Sequence, residues 1–175
     1  AGTIYRNYFA SFDGRIGQTA DKQIDCSADL GLQLGNTDQR LWKMVNGYLF
    51  PTDDGLAEIT ETIRSASQAD RDALLGQLRI GLQLDAEVTL LGTGHRVSQA
   101  YCSALPVAYG RQPTDQWADF AQLILDAAYE ATLAAAAINA NQSGNRVVYL
   151  TLLGGGVFGN RDRWIITAIE RAFHK

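Results

Sequence analysis

The sequence holds few of the residues from which metal and nucleophilic sites are built. Its two histidines, His95 and His174, are too few for a catalytic or metal-binding histidine cluster. Its two cysteines, Cys26 and Cys102, are far apart and outside any C-x-x-C pattern, which argues against a disulfide framework or a zinc site. Such cysteine usage is typical of a reducing, cytoplasmic location. We therefore expect no metal and no redox cofactor, with a carboxylate-held Mg²⁺ as the one alternative.

A basic patch and a long apolar run are also missing. The 175 residues carry a net charge of −4 and a pI of about 5.1, so we do not expect a nucleic-acid partner. No apolar run approaches the roughly 20 residues that span a bilayer, so we expect no membrane partner. A composition of 46% hydrophobic and 19% charged residues is typical of a globular protein, and the length predicts a single domain over residues 1–175. The chain begins with Ala-Gly and not with Met, as expected of an engineered or processed piece.

Apolar periodicity predicts strands that alternate with helices. The predicted strands cover 3–12, 87–91, 96–109 and 146–153, and the predicted helices cover 38–48, 55–66, 69–80, 115–140 and 161–173. The last strand, "RVVYLTLL", is a continuous apolar run of the kind that is buried on both faces of a sheet. Small residues at every even position from 98 to 108 suit a strand with a helix packed closely on it. The predicted fold class is α/β with a mixed, largely parallel sheet.

A glycine-rich stretch, "GGGVFGN" at residues 154–160, lies between the last predicted strand and the last predicted helix. Glycines allow positive φ and close approach to a ligand, and the free N–H groups at a helix start attract anions. The pattern predicts a phosphate site, with a tightly packed turn as the alternative. Gly154, Gly156 and Gly159 spell the dinucleotide fingerprint G-x-G-x-x-G, but the sequence leaves no room for the second strand of that motif. No G-K-[ST] follows, so a P-loop is excluded.

Residues 123–172 resemble the C-terminal part of a macrodomain, the ADP-ribose-binding module. "LDAAYEATLAAAA", "RVVYLTLLGGGVFGN" and "RWIITAIERAF" follow the family's order of a helix with a Tyr and small residues, a buried strand, a diphosphate loop and a helix. "GGGVFGN" is especially similar to the diphosphate loop of the poly(ADP-ribose) glycohydrolase branch. The resemblance implies a three-layer α/β/α fold and a ligand-binding loop made of Gly154, Gly155, Gly156, Val157, Phe158, Gly159 and Asn160.

The resemblance also implies roles for residues outside the loop. "VSQAYCSALPVAYG" (97–110) is similar to a central strand and its ligand-facing loop, which contains Ser103. "VNGYLFPTDDGLAEI" (45–59) is similar to a segment in which Asn46 would approach the ribose next to the scissile bond and Asp54 would take the catalytic Asp position. The chain also looks like arginine-specific ADP-ribosylhydrolases with a macrodomain core. The family's Asn-Ala-Ala-Asn signature is absent, and so is the Gln-Glu-Glu motif of the glycohydrolase branch.

Two pairs of carboxylates are candidates for catalysis. Hydrolysis of an ADP-ribosyl bond needs a carboxylate that stabilises the oxocarbenium-like ribose C1″ or orients a water on it. Asp53 and Asp54 precede a predicted helix, and helix capping is their alternative role. Asp85 and Glu87, two apart in an extended segment, are predicted to share a face and hold a cation together. A solvated strand edge is the alternative there.

Other polar and aromatic residues have simpler interpretations. Asp126 and Glu130 fall on the polar face of the longest predicted helix, which indicates solvated charges. Phe158 is a candidate for stacking near the distal ribose or the adenine, whereas Trp164 and Phe173 are predicted to lie in the core.

These observations predict an ADP-ribosylhydrolase that removes ADP-ribose from protein side chains, with arginine as one candidate linkage. The alternative is a reader module that binds ADP-ribose or an ADP-ribosylated protein without cutting it. A third interpretation is a structural domain whose glycine loop is only a turn.

Overall fold

The structure is a computed structural model that describes residues 2–92 and 94–175. Within these ranges the helices are α1 (Gly2–Tyr8), α2 (Ala28–Leu34), α3 (Asp53–Ser65), α4 (Gln68–Leu75), α5 (Ala118–Ser143) and α6 (Asp162–Phe173). The strands are β1 (Ser11–Phe12), β2 (Arg15–Ile16), β3 (Trp42–Val45), β4 (Tyr48–Pro51), β5 (Gly81–Glu87) and β6 (Arg96–Tyr101). Three antiparallel ladders pair β1 with β2, β3 with β4, and β5 with β6. The chain is therefore a mixed α and β protein, and its described strands form no parallel pair.

The hydrophobic core is built around the first half of α5. Trp117 and Phe120 are fully buried, and the Phe120 ring lies 5.6 Å from the ring of Trp42 in β3. α3 and α6 pack on α5 through apolar faces that recur at helical intervals. Their buried side chains include Leu56, Ile59 and Ile63 of α3 and Trp164, Ile165 and Ala168 of α6. The prediction of a buried Trp164 is confirmed, whereas the prediction for Phe173 is wrong, because its side chain is 66% exposed.

Three of the predicted helices are confirmed. Those at 55–66, 115–140 and 161–173 correspond to α3, α5 and α6, while the one at 69–80 ends early as α4. α3 begins where the Thr52 hydroxyl oxygen accepts the N–H of Gly55 at 3.0 Å. A Cβ on Gly55 would lie 2.1 Å from the carbonyl oxygen of Leu41, so glycine is required for this helix to start so close to the preceding chain.

The helix predicted at 38–48 is wrong, because most of this segment belongs to a β-hairpin. β3 pairs with β4 across a two-residue turn at Asn46 and Gly47, whose φ values are +52° and +80°. Positive φ at both positions is the conformation that Asn-Gly favours between two strands. Of the apolar side chains with helical spacing here, Leu41 is buried, whereas the other three are 36–48% exposed, and they are Met44, Val45 and Tyr48.

The strand predicted at 3–12 is also wrong, since α1 covers most of it. The rings of Tyr5 and Phe9 stack at 6.4 Å, one helical turn apart, which supports the helix. Aromatic and β-branched residues favour a strand only where partner strands and a packed face exist. In this region only Ser11–Phe12 and Arg15–Ile16 pair.

β6 confirms the first part of the strand predicted at 96–109. The predicted close packing of its small-residue face on a helix is wrong for most of the strand, because Ser98 and Ala100 are exposed, but two side chains of this face do contact α5. The Ser98 hydroxyl donates to Oδ1 of Asn139 at 2.6 Å, and the sulfur of Cys102 lies 3.9 Å from the Thr132 hydroxyl oxygen, both on α5. β6 therefore lies along the second half of α5.

The largest departure is the strand predicted at 146–153. Residues 145–152 contain no helix, turn or bend, so the backbone runs straight, but it joins no ladder in the described part of the chain. Its exposed large side chains are Val147, Val148, Tyr149 and Leu152. The prediction that this segment is buried on both faces of a sheet is therefore wrong. The strand predicted at 87–91 is wrong for a simpler reason, because β5 ends at Glu87 and a 3₁₀ turn follows.

One helix in the described residues, Thr114–Ser143 with its preceding turn, is long and apolar enough to cross a membrane, with a mean hydropathy of 1.2. The expectation that no apolar run is long enough to span a bilayer is therefore wrong when length and composition alone are considered. Half of its apolar window is buried inside the protein, and buried core helices satisfy the same test. The helix is weak support for a membrane span.

Candidate functional site

The chain just before the glycine loop, which we define as residues 154–160, is held on α5 by the hydroxyl group of Tyr129. The Tyr129 hydroxyl donates to the carbonyl oxygen of Thr151 at 2.6 Å and accepts the N–H of Leu153 at 2.9 Å. Burial raises the pKa of this phenol, so it stays neutral and can do both at neutral pH. The chain therefore enters the loop from a fixed point.

The loop closes on itself and leads directly into α6. The N–H of Asn160 donates to the carbonyl oxygen of Gly154 at 3.1 Å, around a 3₁₀ turn at Gly156–Phe158. The N-cap residue of α6, Arg161, makes no side-chain capping hydrogen bond. The N–H of Trp164 already donates to the carbonyl oxygen of Arg161 at 2.9 Å, so among the described residues the N–H groups of Asp162 and Arg163 are the ones at this helix start that remain available to an anion.

The glycines of the loop serve two different needs. A Cβ on Gly154 would lie 2.2 Å from Cβ of Ala104, and one on Gly159 would lie 2.9 Å from Cβ of Ala108. These two glycines let the loop pack against the chain that follows β6. Gly156 has φ +69° with nothing within 4 Å of a Cβ position, so it is needed for its backbone conformation alone and faces open space.

The remaining loop positions differ from these three glycines. Gly155 has φ −65°, which any residue adopts, although a Cβ would lie 3.3 Å from the carbonyl oxygen of Leu152. Val157 is 74% exposed at the tip of the 3₁₀ turn. An exposed apolar side chain beside Gly156 gives the loop one apolar contact surface for a ligand.

Asn160 is the buried polar residue of the loop. Its side chain is 4% exposed, and its Nδ2 donates to the carbonyl oxygens of Leu105 at 2.8 Å and Gly154 at 3.2 Å. Its Oδ1 has no hydrogen-bond partner in the described residues. A buried polar atom without a partner costs about 1–3 kcal/mol, so an additional donor at this atom would stabilise the site.

Four aromatic rings lie beside the loop. The Phe158 ring is 5.9 Å from the ring of Tyr48 and 5.6 Å from that of Tyr109, in edge-to-face contacts. Tyr48 in turn contacts Tyr109 at 5.7 Å and Phe50 at 6.3 Å. Tyr109 is 47% exposed, so this aromatic cluster (Tyr48, Phe50, Tyr109 and Phe158) is partly open to solvent. Phe158 packs within the cluster and is not a free stacking surface.

A groove of about 1440 Å³ runs beside the β3–β4 turn. Two of the predicted ligand residues, Asn46 and Ser103, line it. Asn46 occupies the hairpin turn, and the Ser103 hydroxyl donates to the carbonyl oxygen of Ala104 at 3.2 Å. Ala104 and Leu105 line the groove and also contact the glycine loop, so groove and loop are adjacent.

Asp53 and Asp54 form the first turn of α3, and Thr52, not an aspartate, caps it. Asp53 accepts a hydrogen bond from Nε2 of Gln112 at 2.8 Å, and the same nitrogen lies 3.2 Å from the carbonyl oxygen of Pro51. The carboxylate of Asp54 is exposed and makes no hydrogen bond or ion pair with the described residues. Of the two, Asp54 is therefore the one available to a substrate or a water.

Asp85 and Glu87 lie away from the glycine loop. The β5–β6 ladder is irregular between Gln83 and Ala86, and Asp85 has φ +52°, so the simple alternation behind the predicted shared face is broken. Asp85 already pairs with Arg96 at 3.2 Å. Their hairpin contacts α5 at Asn139, about 15 Å along the helix from Tyr129.

The interpretation of Asp126 as a solvated charge is wrong. Its side chain is 4% exposed, because α6 covers this face of α5 and places Arg171 3.9 Å away. Burial raises the pKa of Asp126, although Gln122 donates to its carboxylate at 2.7 Å. Arg171 also pairs with Glu130 and, at 2.7 Å, with Asp72. This network joins α4, α5 and α6 and is separate from the loop.

The two cysteine thiols are poorly suited to catalysis, and the described residues offer no metal-binding cluster. Burial raises the pKa of the Cys102 thiol, which makes it a poor nucleophile at neutral pH. Burial likewise raises the pKa of Cys26. In the described part of the chain, no group of three His, Cys, Asp or Glu side chains could hold a metal ion.

Tyr48 and Tyr109 lie within the two segments whose resemblance implies a ligand-facing position, but sequence reasoning gave neither residue a role, and it did not include Gln112. Asn46-Gly47 between alternating residues is the signal that predicts the β3–β4 hairpin, and with it the position of Tyr48. Tyr109 and Gln112 have no such local signal, because only the tertiary fold brings residues 107–112 to the loop.

Comparison of the chain with models of known protein families, with curated proteins and with solved structures gives no match.

Proposed function

We propose that this protein binds ADP-ribose through its glycine loop and hydrolyses the bond that joins ADP-ribose to a protein side chain. The observation that carries the proposal is the construction of the loop. It combines a positive-φ glycine that faces open space, an uncapped helix start and a buried Asn160 oxygen without a partner. Backbone N–H groups in this arrangement suit the diphosphate of the ligand.

The proposal includes a macrodomain-like three-layer fold with a largely parallel central sheet. Its support is the order of β6, α5 and the apolar segment, which we define as residues 146–152. A strand, a long helix and a second straight segment are the parts of a βαβ unit, the unit that builds parallel sheets. Ligands of such folds lie at the carboxyl ends of the strands, where the glycine loop follows the apolar segment.

The aromatic cluster is the observation that supports binding of the nucleoside part of the ligand. Val157 and the exposed edge of Tyr109 offer apolar contact beside the diphosphate position. A purine ring can pack against the edge of such a cluster and bury apolar area, which contributes about 25 cal/mol per Å². The adjacent groove, with Asn46 and Ser103 on its wall, offers polar groups to a ribose.

In the proposed reaction, water attacks C1″ of the ribose next to the leaving side chain. The C1″–O bond forms as the bond from C1″ to the side-chain nitrogen breaks, the electron pair of the broken bond stays on the nitrogen, and the nitrogen receives from solvent one proton, which balances the proton that the water gives up. Asp54 orients the water, takes up its proton and stabilises the positive charge that develops at C1″. Its exposed and unpaired carboxylate favours it over Asp53, which Gln112 engages. Asp85 and Glu87 rank below both because of their distance from the loop.

The second candidate function is a reader that binds ADP-ribose without cutting it. The observation that favours it is the contrast between a well-defined loop and an exposed catalytic candidate on the first turn of α3. In both versions the partner is ADP-ribose or an ADP-ribosylated protein, not nucleic acid or a membrane, in a reducing cytoplasmic setting. Neither version uses a metal or another cofactor.

Calorimetric titration with ADP-ribose and AMP tests binding first. We expect ADP-ribose to bind and, at 100 times Kd, to add about 2.7 kcal/mol to the free energy of unfolding. No heat of binding and no stabilisation by ADP-ribose would leave only the structural interpretation of the loop.

Hydrolysis is tested with ADP-ribosylated arginine, glutamate and serine peptides and with Asp54→Asn. This substitution keeps size and hydrogen bonding but removes the charge, so we expect kcat to fall at least tenfold while the ADP-ribose Kd stays nearly unchanged. Asp53→Asn is the matched control one residue away, and we expect a smaller effect. Tight binding with no cleavage above buffer would establish the reader, and unimpaired Asp54→Asn would remove Asp54 from the mechanism.

A further inference from the structure

The apolar segment exposes more apolar surface than a settled strand would. Val147, Tyr149 and Leu152 are 63%, 92% and 63% exposed. Within the described residues, the one hydrogen bond made by the backbone between Arg146 and Leu150 is from the N–H of Val147 to Oδ1 of Asn145 at 3.0 Å. Straight backbone with free N–H and C=O groups is a template for another strand.

β6 offers a free strand edge. One side of β6 pairs with β5, and the other side makes no backbone hydrogen bond with the described residues. Ala100, in the middle of β6, shares a face with Ser98 and Cys102, and Ala100 and Ser98 are both exposed although Ser98 and Cys102 contact α5. The space beside β6 on α5 is therefore not filled.

The apolar segment and β6 run in the same direction along α5. β6 contacts Asn139 through Ser98 and Thr132 through Cys102, so it runs from the end of α5 towards its middle. The apolar segment starts just after α5 ends and reaches Tyr129 at Thr151. Both therefore travel antiparallel to the helix and parallel to each other.

The far ends of the two segments already touch. Asn160, after the apolar segment, donates to Leu105, after β6, and Gly154 packs on Ala104. Two segments that start near the end of a helix and meet near its middle are placed so that they can pair side by side in between. β6, α5 and the apolar segment thus have the connectivity of a βαβ unit whose second strand is unpaired.

We propose that residues 146–151 pair in parallel with the free edge of β6 and that a ligand in the glycine loop favours the paired state. The ligand dependence rests on the proposed function. Pairing would fix the chain after β6 and the glycine loop relative to each other, at the carboxyl ends of neighbouring strands. A ligand that touches both binds the paired state more tightly and shifts the equilibrium towards it. Ligand binding would therefore order this part of the sheet.

Amide hydrogen exchange with and without saturating ADP-ribose tests the proposal. We expect the amides of residues 147–151 to exchange at least tenfold more slowly in the complex, together with amides of β6. The exposed amide of Gly14, in the β1–β2 turn, serves as the control and should not change. Binding shown by calorimetry with unchanged exchange at 147–151 would overturn the proposal, and so would full protection of these amides before ligand is added.

A second experiment judges the pairing if ADP-ribose does not bind, which would refute the proposed function alone. In a parallel pair, successive residues point their N–H groups to opposite sides, so one of Val148 and Tyr149 faces β6. Proline at that position removes the donor, and alanine at the same position is the matched control. We expect either Val148→Pro or Tyr149→Pro, relative to its alanine variant, to speed amide exchange in β6 about twofold, as a paired state that is partly populated without ligand requires. If neither proline differs from its alanine control, the pairing is wrong.

Discussion

The two halves of α5 differ in what surrounds them. Residues 118–129 are buried on nearly every side, between α3, α6 and β3, while Ala134, Ala137 and Ile138 in the second half are exposed. The first half contributes more buried side chains to the core than any other described helix or strand, and the second half contacts β6 through Asn139. The same helix thus holds a fixed centre at one end and a loosely covered surface at the other, and the glycine loop lies where the two meet.

The largest expected effect is a loss of stability when a buried side chain is truncated in the first half of α5, which we call the packed half. Phe120→Ala removes a fully buried ring that contacts Trp42, and we expect it to lower the free energy of unfolding by about 3–5 kcal/mol. Ile138→Ala on the second half of the same helix, where the side chain is 53% exposed, should cost about 0.5 kcal/mol or less. Urea unfolding measures both, and equal losses would contradict the contrast between the halves.

A smaller loss of stability is expected at two positive-φ glycines, one in the glycine loop and one at the end of α5. Gly156 in the loop has φ +69° and Gly144 at the end of α5 has φ +75°, and neither has atoms within 4 Å of a Cβ position. Alanine at either site should cost about 1–2 kcal/mol, because L-residues are strained at positive φ.

Only Gly156→Ala should also weaken ADP-ribose binding, by at least tenfold, since only Gly156 belongs to the proposed diphosphate site. Calorimetric titration of both variants separates the two effects. Equal ADP-ribose affinities for Gly156→Ala and Gly144→Ala would argue that the loop is only a turn.

The smallest expected effects are two pH dependences of opposite sign within the ion network of the packed half. Burial raises the folded-state pKa of Asp126 above 3.8, so the folded protein binds the proton more tightly than the unfolded chain. The stability of the wild type relative to Asp126→Asn should therefore fall as pH rises through the range above 3.8.

Asp72 behaves in the opposite way. The hydrogen bond from Lys175 lowers the pKa of Asp72 below 3.8, so its contribution is present above that pH and is lost as pH falls through the folded-state pKa. The advantage of the wild type over Asp72→Asn should therefore shrink in acid. Urea unfolding of both variants between pH 3 and 7 measures the slopes, and slopes of the same sign would contradict the assignment.

The sequence predicted the packed half far better than the loose half. Side chains such as Leu56, Ile59 and Ile63 recur at helical intervals because one face of α3 is buried, so periodicity located that helix. The same criterion failed at 38–48, where chance helical spacing outweighed the Asn46-Gly47 turn signal. It also failed at 146–153, because a continuous apolar run indicates burial but not which strand covers it.

The candidate site was predictable only in its local part. The loop glycines and the aspartates at the start of α3 stand together in short motifs, so sequence alone located them. The neighbours Tyr109 and Gln112 come from a separate stretch, and the burial of Asp126 depends on α6 folding over α5. These contacts are set by tertiary packing, which no local pattern reports.

The hydroxyl of Tyr129 gives the apolar segment one pinned end. A chain that is fixed at one point pairs with a neighbouring strand progressively from that point, because closing the shortest loop costs the least entropy. Contacts next to Thr151 would therefore form first, and those next to Arg146 last. Tyr129 thereby sets the direction in which order spreads, outward from the ligand position to the far end of α5.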